Sequence, residues 1–186
     1  MTKLLKSFIE EFKDKYNLET FVETGCYLGE ALHEANQLDM KLYSCDIRKE
    51  FTEDCSKLFP NAIILHCDSV AALQGFINEP LGRTFFWLDA HYPSNYGGRD
   101  TDETKMPLLR ELQIIKEKDG IEHDVIVCDD ISNIADPDNA CYDSNVHEYF
   151  KVTDVKIKDL VDVLKDTHHA TMIANIIDGL LIFEPK

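Results

Sequence analysis

Apolar residues in this chain switch repeatedly between helical and strand-like spacing, and the switches predict the elements. Residues 4–16 carry Leu4, Leu5, Phe8, Ile9, Phe12 and Tyr16 at helical spacing with charges between them, which predicts an amphipathic helix. A strand follows over 19–24, then a helix over 29–37, a strand over 41–47 and a helix over 50–59 that stops at Pro60. Residues 62–69 predict a third strand and 69–78 a helix. The run Thr84-Phe85-Phe86-Trp87-Leu88-Asp89 is continuously apolar before its acid, as a strand buried on both faces must be. A loop over 90–104 leads to a helix over 106–118 with Pro107 in its first turn. Residues 124–130 form a fifth strand, 131–147 a second long loop, and 156–166 a helix. Two apolar runs, 170–177 and 179–184, meet at Asp178-Gly179, a short hairpin signal.

Strands alternating with helices imply a mostly parallel sheet, helices on both faces, finished here by an antiparallel hairpin. In such a sheet, ligands bind beyond the carboxyl ends of the strands at the switch point. Glu23, Asp46, Asp68, Asp89, Asp129 and Asp130 all fall at that edge. Around Glu23, residues 21–32 read as a strand, an acid, a tight turn with Gly25 and Gly29, and a helix. Gly25 can take positive φ there, and the missing Cβ atoms let backbone approach a ligand closely. The spacing is G-x-x-x-G rather than the dinucleotide fingerprint G-x-G-x-x-G. A carboxylate at Glu23 repels a pyrophosphate but attracts an ammonium or ribose hydroxyls. A dinucleotide oxidoreductase is disfavoured on both counts.

Composition narrows the picture. The 186 residues, 44% hydrophobic and 29% charged, fit one globular domain spanning 1–186, with residues 1–17 packing on it as a helix. A formal net charge of −16 and the lack of a basic stripe argue against nucleic acid and anionic membrane as partners. The opening twelve residues mix charge into their apolar positions, unlike a signal peptide or membrane span, so a cytoplasmic location is expected. Six cysteines without a C-x-x-C pair read as reduced, mostly buried thiols. The N-terminal helix and a hairpin edge could support a homodimer.

With these motifs in this order, residues 19–184 resemble the class I S-adenosylmethionine-dependent methyltransferases, whose Rossmann-like seven-stranded sheet ends in an antiparallel hairpin. The nearer resemblance is to metal-assisted O-methyltransferases of sugars and natural products, which carry similar glutamate-threonine-glycine turns and a late Asp-Asp pair. The resemblance implies S-adenosylmethionine as cofactor and a hydroxyl of a saccharide or small natural product as acceptor. It puts Glu23, Thr24, Gly25, Tyr27 and Gly29 at the methionine portion, the acid helping to hold its ammonium. Asp46 and Ile47 fall at the ribose, Asp68 and Ser69 at the adenine, and Asp89 beside the cofactor. Tyr27 departs from the pattern, since many members have a further glycine there.

The resemblance also implies Mg²⁺ or another divalent cation on Asp89, Asp129 and Asp130. Oxygen ligands from neighbouring strand ends suit such an ion, which lowers an alcohol's pKa and positions its oxygen. The alternative for Asp129-Asp130 is a turn with one solvated carboxylate, and Asp68 can serve as a helix cap. His91 is the candidate general base, with a fourth ligand or a loop histidine as alternatives. Tyr92, Asn95, Tyr96, Arg99 and Asp100, beside Gly97-Gly98, form a loop suited to a polyhydroxylated acceptor, and Tyr142 and His147 could close over it. Trp87 is expected in the core and His168-His169 at the surface. Two other function classes stay open. A metal-dependent phosphoesterase or hydrolase could use Asp89-Ala90-His91 with Asp129-Asp130, although further histidine motifs are lacking. A non-catalytic cofactor-binding domain of the same fold is the other.

Overall fold

A computed structural model describes residues 2–90, 106–145, 151–174 and 179–186. Helix α1 (Thr2–Tyr16) leads into β1 (Thr20–Thr24), α2 (Glu30–Asn36), β2 (Lys41–Asp46), α3 (Lys49–Leu58), β3 (Ile63–His66), α4 (Ser69–Phe76) and β4 (Thr84–Leu88). After it come α5 (Leu108–Ile115), β5 (Val125–Cys128), α6 (Ile157–Leu164), β6 (His168–Ile173) and β7 (Leu180–Pro185). The seven strands form one sheet in the order β3-β2-β1-β4-β5-β7-β6. Pairing is parallel from β3 through β5, and β7 is antiparallel to both β5 and β6. The parallel sheet and its closing hairpin match the expectation.

The two-residue period of each strand divides the core between two faces. Phe21, Leu42, Phe85, Trp87, Val125 and Val127 point toward α1, α2 and α3, where they meet Ile9, Leu32 and Phe59. Val22, Tyr43, Phe86, Leu88 and Ile126 point the other way, onto Leu73, Leu112 and Leu160 of α4, α5 and α6. Trp87 is a core residue, as expected. Helix α1 is anchored by rings: Phe8 sits edge-on to Trp87, with centroids 6.4 Å apart, and Phe12 lies against Phe85. Its far end is tied by Tyr16, whose hydroxyl donates to Glu184 at 2.7 Å.

Several boundaries differ from the sequence pattern. β3 stops at His66, so Asp68 lies beyond it, and Pro107 precedes α5 as its N-cap instead of entering its first turn. The second long loop is extensively bonded. Asn139 Nδ2 donates to the carbonyls of Ile131 (2.7 Å) and Ile134 (2.9 Å), and Asp136 Oδ2 accepts from Ile157 N at 2.8 Å, capping α6 from 21 residues away. β6 begins earlier than expected, at His168. That histidine is not a surface residue: it is 3% exposed, its Nε2–H donates to the Asp124 carbonyl at 3.1 Å, and Thr167 bonds its other nitrogen at 2.8 Å. Asp178 and part of the strand expected before it lie outside the described residues.

The amino-terminal edge of the sheet holds a buried polar knot. Lys118 Nζ lies 2.7 Å from Asp124 Oδ2 and donates to the Gly82 carbonyl at 2.9 Å, while Asp124 Oδ1 accepts from Thr84 N at 2.8 Å. Burial lifts the Asp124 carboxyl to about 6, and the Lys118 ammonium works against that lift. Removing one partner leaves the other charge without its counter-ion in a dry setting. Lys118→Met is therefore expected to destabilise the fold by about 3–5 kcal/mol in equilibrium denaturation, with a loss below ~1 kcal/mol showing that the pair carries no such weight.

Candidate active site

The strand order reverses at β1, whose neighbours are β2 on one side and β4 on the other, and this is where an open sheet leaves a crevice. The chain leaving β1 turns through three positive φ angles in five residues: 84° at Gly25, 40° at Tyr27 and 76° at Gly29. Both glycines are sterically required. A Cβ on Gly25 would lie 2.7 Å from the Asp89 carbonyl oxygen, and one on Gly29 would lie 2.8 Å from the Phe59 ring. Tyr27 holds its left-handed conformation despite its side chain, at a cost of about 1–2 kcal/mol. Its N–H donates to Asp46 Oδ2 at 3.1 Å, and its ring, 46% exposed residue-wide, meets Phe51 edge-on at 4.8 Å. Arg48 covers the same Phe51 ring at 5.5 Å.

The turn is stitched to the ends of both neighbouring strands. Gly25 N and Cys26 N both donate to the Cys45 carbonyl, at 2.9 and 3.0 Å, and Asp89 N donates to the Thr24 carbonyl at 3.1 Å. Asp46 also accepts from Arg48 N at 2.8 Å. Burial raises its carboxyl above the usual range, and the two backbone N–H groups pull it back. Each of its oxygens keeps a second lone pair for a ligand hydroxyl. Ile47, Tyr27 and Leu28 are exposed beside it, giving an apolar and aromatic rim.

Glu23 is enclosed, not rim-lining. It is 2% exposed, lies between Ser44 and Trp87 in the sheet register, and accepts from Ser44 Oγ at 2.8 Å. Burial pushes its carboxyl well above the usual carboxylate range; Ser44 opposes this, and the charges of Asp89, Cys55 and Asp46 add to it. Glu23 therefore holds its proton to higher pH than an ordinary carboxylate, beneath the turn. Ser44 was missed in the sequence: the pattern shows a serine within an apolar strand, but only the register sets it against Glu23.

Among the other expected residues, Asp68 caps α4, its Oδ1 accepting from Ala71 N at 2.9 Å, and Ser69 opens that helix. Asp89 and Asp129 follow adjacent strands, with Asp129 N donating to the Leu88 carbonyl at 3.0 Å. Asp89 Oδ2 lies 3.4 Å from Trp87 Nε1. Asp129 Oδ1 accepts from Asp130 N at 2.8 Å, and Asp130 has φ 55°, so this pair turns the chain into a short 3₁₀ segment, Ile131–Asn133. Among the described residues, no three His, Cys, Asp or Glu side chains gather as a metal site. Asp89, Asp129 and Asp130 do not by themselves fit the expected ion. His91, Tyr92, Asn95, Tyr96, Arg99, Asp100, Gly97, Gly98 and His147 lie outside the described residues, and Tyr142 is half-buried in the bonded loop.

Solved structures share this architecture. An O-methyltransferase from Bacillus cereus, in complex with S-adenosylhomocysteine (SAH), superposes with a TM-score of 0.60 over 100% of this chain and 80% of its own, at 12% identity. The fold is that of the class I methyltransferases. Within that methyltransferase fold, a putative caffeoyl-CoA O-methyltransferase from Staphylococcus aureus gives a TM-score of 0.62 over 98% of this chain and 83% of that one, at 12% identity. An SAH-bound methyltransferase from Podospora anserina gives 0.58 over 97% and 77%, also at 12%. No family model and no curated protein matches the sequence. Among the described residues, no helix is long and apolar enough to cross a membrane.

Because the Gly25 turn abuts the end of β4, a methyl group placed there has nowhere to go. Gly25→Ala is expected to destabilise the chain by at least ~2 kcal/mol, from the positive φ plus the clash with Asp89. A thermal midpoint within 2–3 °C of the parent would show that the turn has slack.

Proposed function

We propose that this chain is an S-adenosylmethionine-dependent O-methyltransferase acting on a hydroxyl of a saccharide or small natural product. The observation that carries the reading is the three-fold positive-φ turn after β1, bonded through Tyr27 N to the strand-end carboxylate of Asp46 at the sheet's reversal point. Its residues fit the cofactor. Asp46 has lone pairs for ribose hydroxyls, Ile47 and Tyr27 give the adenosine an apolar rim, and Asp68 with Ser69 borders the adenine end. The turn of Thr24, Gly25 and Gly29 admits the methionine portion above Glu23.

S-adenosylmethionine supplies a methyl group on a sulfonium, which the acceptor oxygen takes in one displacement that forms C–O as C–S breaks. The chain's part in this is to hold charge and exclude water. Asp89, next to the turn at the end of β4, is assigned to the reacting end, and the acceptor's proton to His91. No step is derived through a metal ion.

SAH is expected to bind in calorimetry, and Asp46→Ala to weaken it by about 10–100-fold, the worth of a charged hydrogen bond. Absence of any heat with either SAH or the methyl donor would remove the reading. Labelled methyl transfer to a panel of sugars and phenols then names the acceptor. If turnover survives EDTA, the Mg²⁺ expectation falls; activity lost to EDTA and restored by Mg²⁺ would return Asp89 and Asp129 as ligands.

Glu23 gives a separate test. A cationic ammonium above a buried acid whose pKa is raised favours the ionised form, so binding lowers the Glu23 pKa and releases a proton. Affinity should therefore rise with pH until the free-state pKa of Glu23 is passed. Calorimetry in buffers of different ionisation enthalpy is expected to show proton release for the parent and none for Glu23→Gln.

A further inference from the structure

Trp87 reads in the sequence as one more apolar residue of β4, and an exposure of 6% agrees with that. Its indole also carries an N–H, which burial strips of water and which then needs an acceptor inside the protein. Trp87 Nε1 donates to Asp89 Oδ2 at 3.4 Å. The two residues stand two positions apart where β4 ends, and Glu23 lies beside Trp87 across the β1–β4 pairing. The bond is long for its kind, so a small movement of the carboxylate changes it and the indole registers the change.

The main chain of Asp89 is held from the other side. Its N–H is shared between the carbonyl and the hydroxyl of Thr24, at 3.1 and 3.2 Å. Its own carbonyl oxygen presses on the turn, where a Cβ at Gly25 would lie 2.7 Å away. What is left to set is the direction of the carboxylate, two torsions from that fixed backbone. The indole that sets it is wedged in the apolar cluster under α1, with the Phe8 ring edge-on to it at 6.4 Å and an interplanar angle of 82°.

We propose that Trp87 is a positioning residue, its indole N–H holding the Asp89 carboxylate in the direction that the reacting end of the cofactor requires. A carboxylate oriented before the ligand arrives loses less freedom on binding than one that must be ordered at that moment. Helix α1 thereby acts on the site through two rings, Phe8 and then Trp87. The part played by Asp89 in binding rests on the cofactor reading given above, whereas the bond from the indole does not. Trp87→Phe keeps an aromatic ring for Phe8 to meet and removes the N–H. If Trp87 works through Asp89, its loss matters only while the carboxylate is there, so the two substitutions cannot add.

Trp87 is the one tryptophan of the chain, so its fluorescence is an internal signal from this place. Without ligand, Asp89→Asn is expected to shift the emission maximum, because the acceptor of the N–H changes from a carboxylate to an amide. An unchanged spectrum overturns the proposal. SAH titrated into the unaltered chain is expected to change the emission with the midpoint that calorimetry gives, and binding heat with a silent indole overturns it as well. In calorimetry Trp87→Phe is expected to weaken SAH about 3–10-fold, the worth of one hydrogen bond. The double variant is expected to bind within about two-fold of Asp89→Asn alone. Losses that add make Trp87 a packing residue and overturn the positioning role. The first two measurements decide the matter even if Trp87→Phe does not fold. A chain that binds no SAH sinks the cofactor reading instead, and the ligand-free spectra still judge the bond between indole and carboxylate.

Discussion

Three left-handed residues in a stretch of five set the terms for the rest of this molecule. A backbone that reverses so tightly after β1 must be braced from several sides, and its N–H groups supply the brace. Cys45 accepts two of its amides, Asp46 a third, and the end of β4 blocks any side chain at Gly25. The brace is cheap for glycine and costly for Tyr27, which keeps its strained conformation because Phe51 and Asp46 hold its two ends. A residue kept in strain by its surroundings is the kind of position at which a sheet of this type places a ligand.

Around that turn the acids divide by environment. Glu23 is sealed and holds its proton more tightly than usual, Asp46 is bonded but within reach, and Asp129 bends its own chain. Carboxylates that line up along one edge in the sequence thus carry out different tasks in space. The Lys118–Asp124 pair, at the opposite edge, is structural: it ties the start of β4 to the segment before β5, away from the crevice.

Much of the architecture was legible because period-two apolar runs and their terminal acids survive without tertiary context. The mostly parallel sheet and the hairpin follow from such runs, and Gly25 and Gly29 marked the turn by type and spacing; the order of the strands in the sheet is seen only in the pairing. Other features depend on register or distance and left no local trace. Ser44 meets Glu23 because residue 23 of one strand pairs with residue 44 of another. His168 reads as polar and exposed, yet the Asp124 carbonyl and the Thr167 hydroxyl satisfy its ring inside the sheet. Asp136 caps a helix that begins 21 residues later, and the Asn139 contacts convert an apparently loose loop into a bonded one. A dense local run of Asp, Asn and Ser cannot show which of these bonds form.

Among the described residues the border strand β3 has one neighbour, and Ile63 and Leu65 on it, with Leu58 nearby, are exposed. Nothing in the strand itself discourages another chain from docking there: it has no proline, lysine or bulge. The guard is colloidal. With sixteen excess negative charges, two such molecules repel before their borders can meet. Toward the isoelectric point near 4.7, or in concentrated salt, that repulsion fades while the greasy border stays, so the chain's solubility follows its ionisation more than its stability.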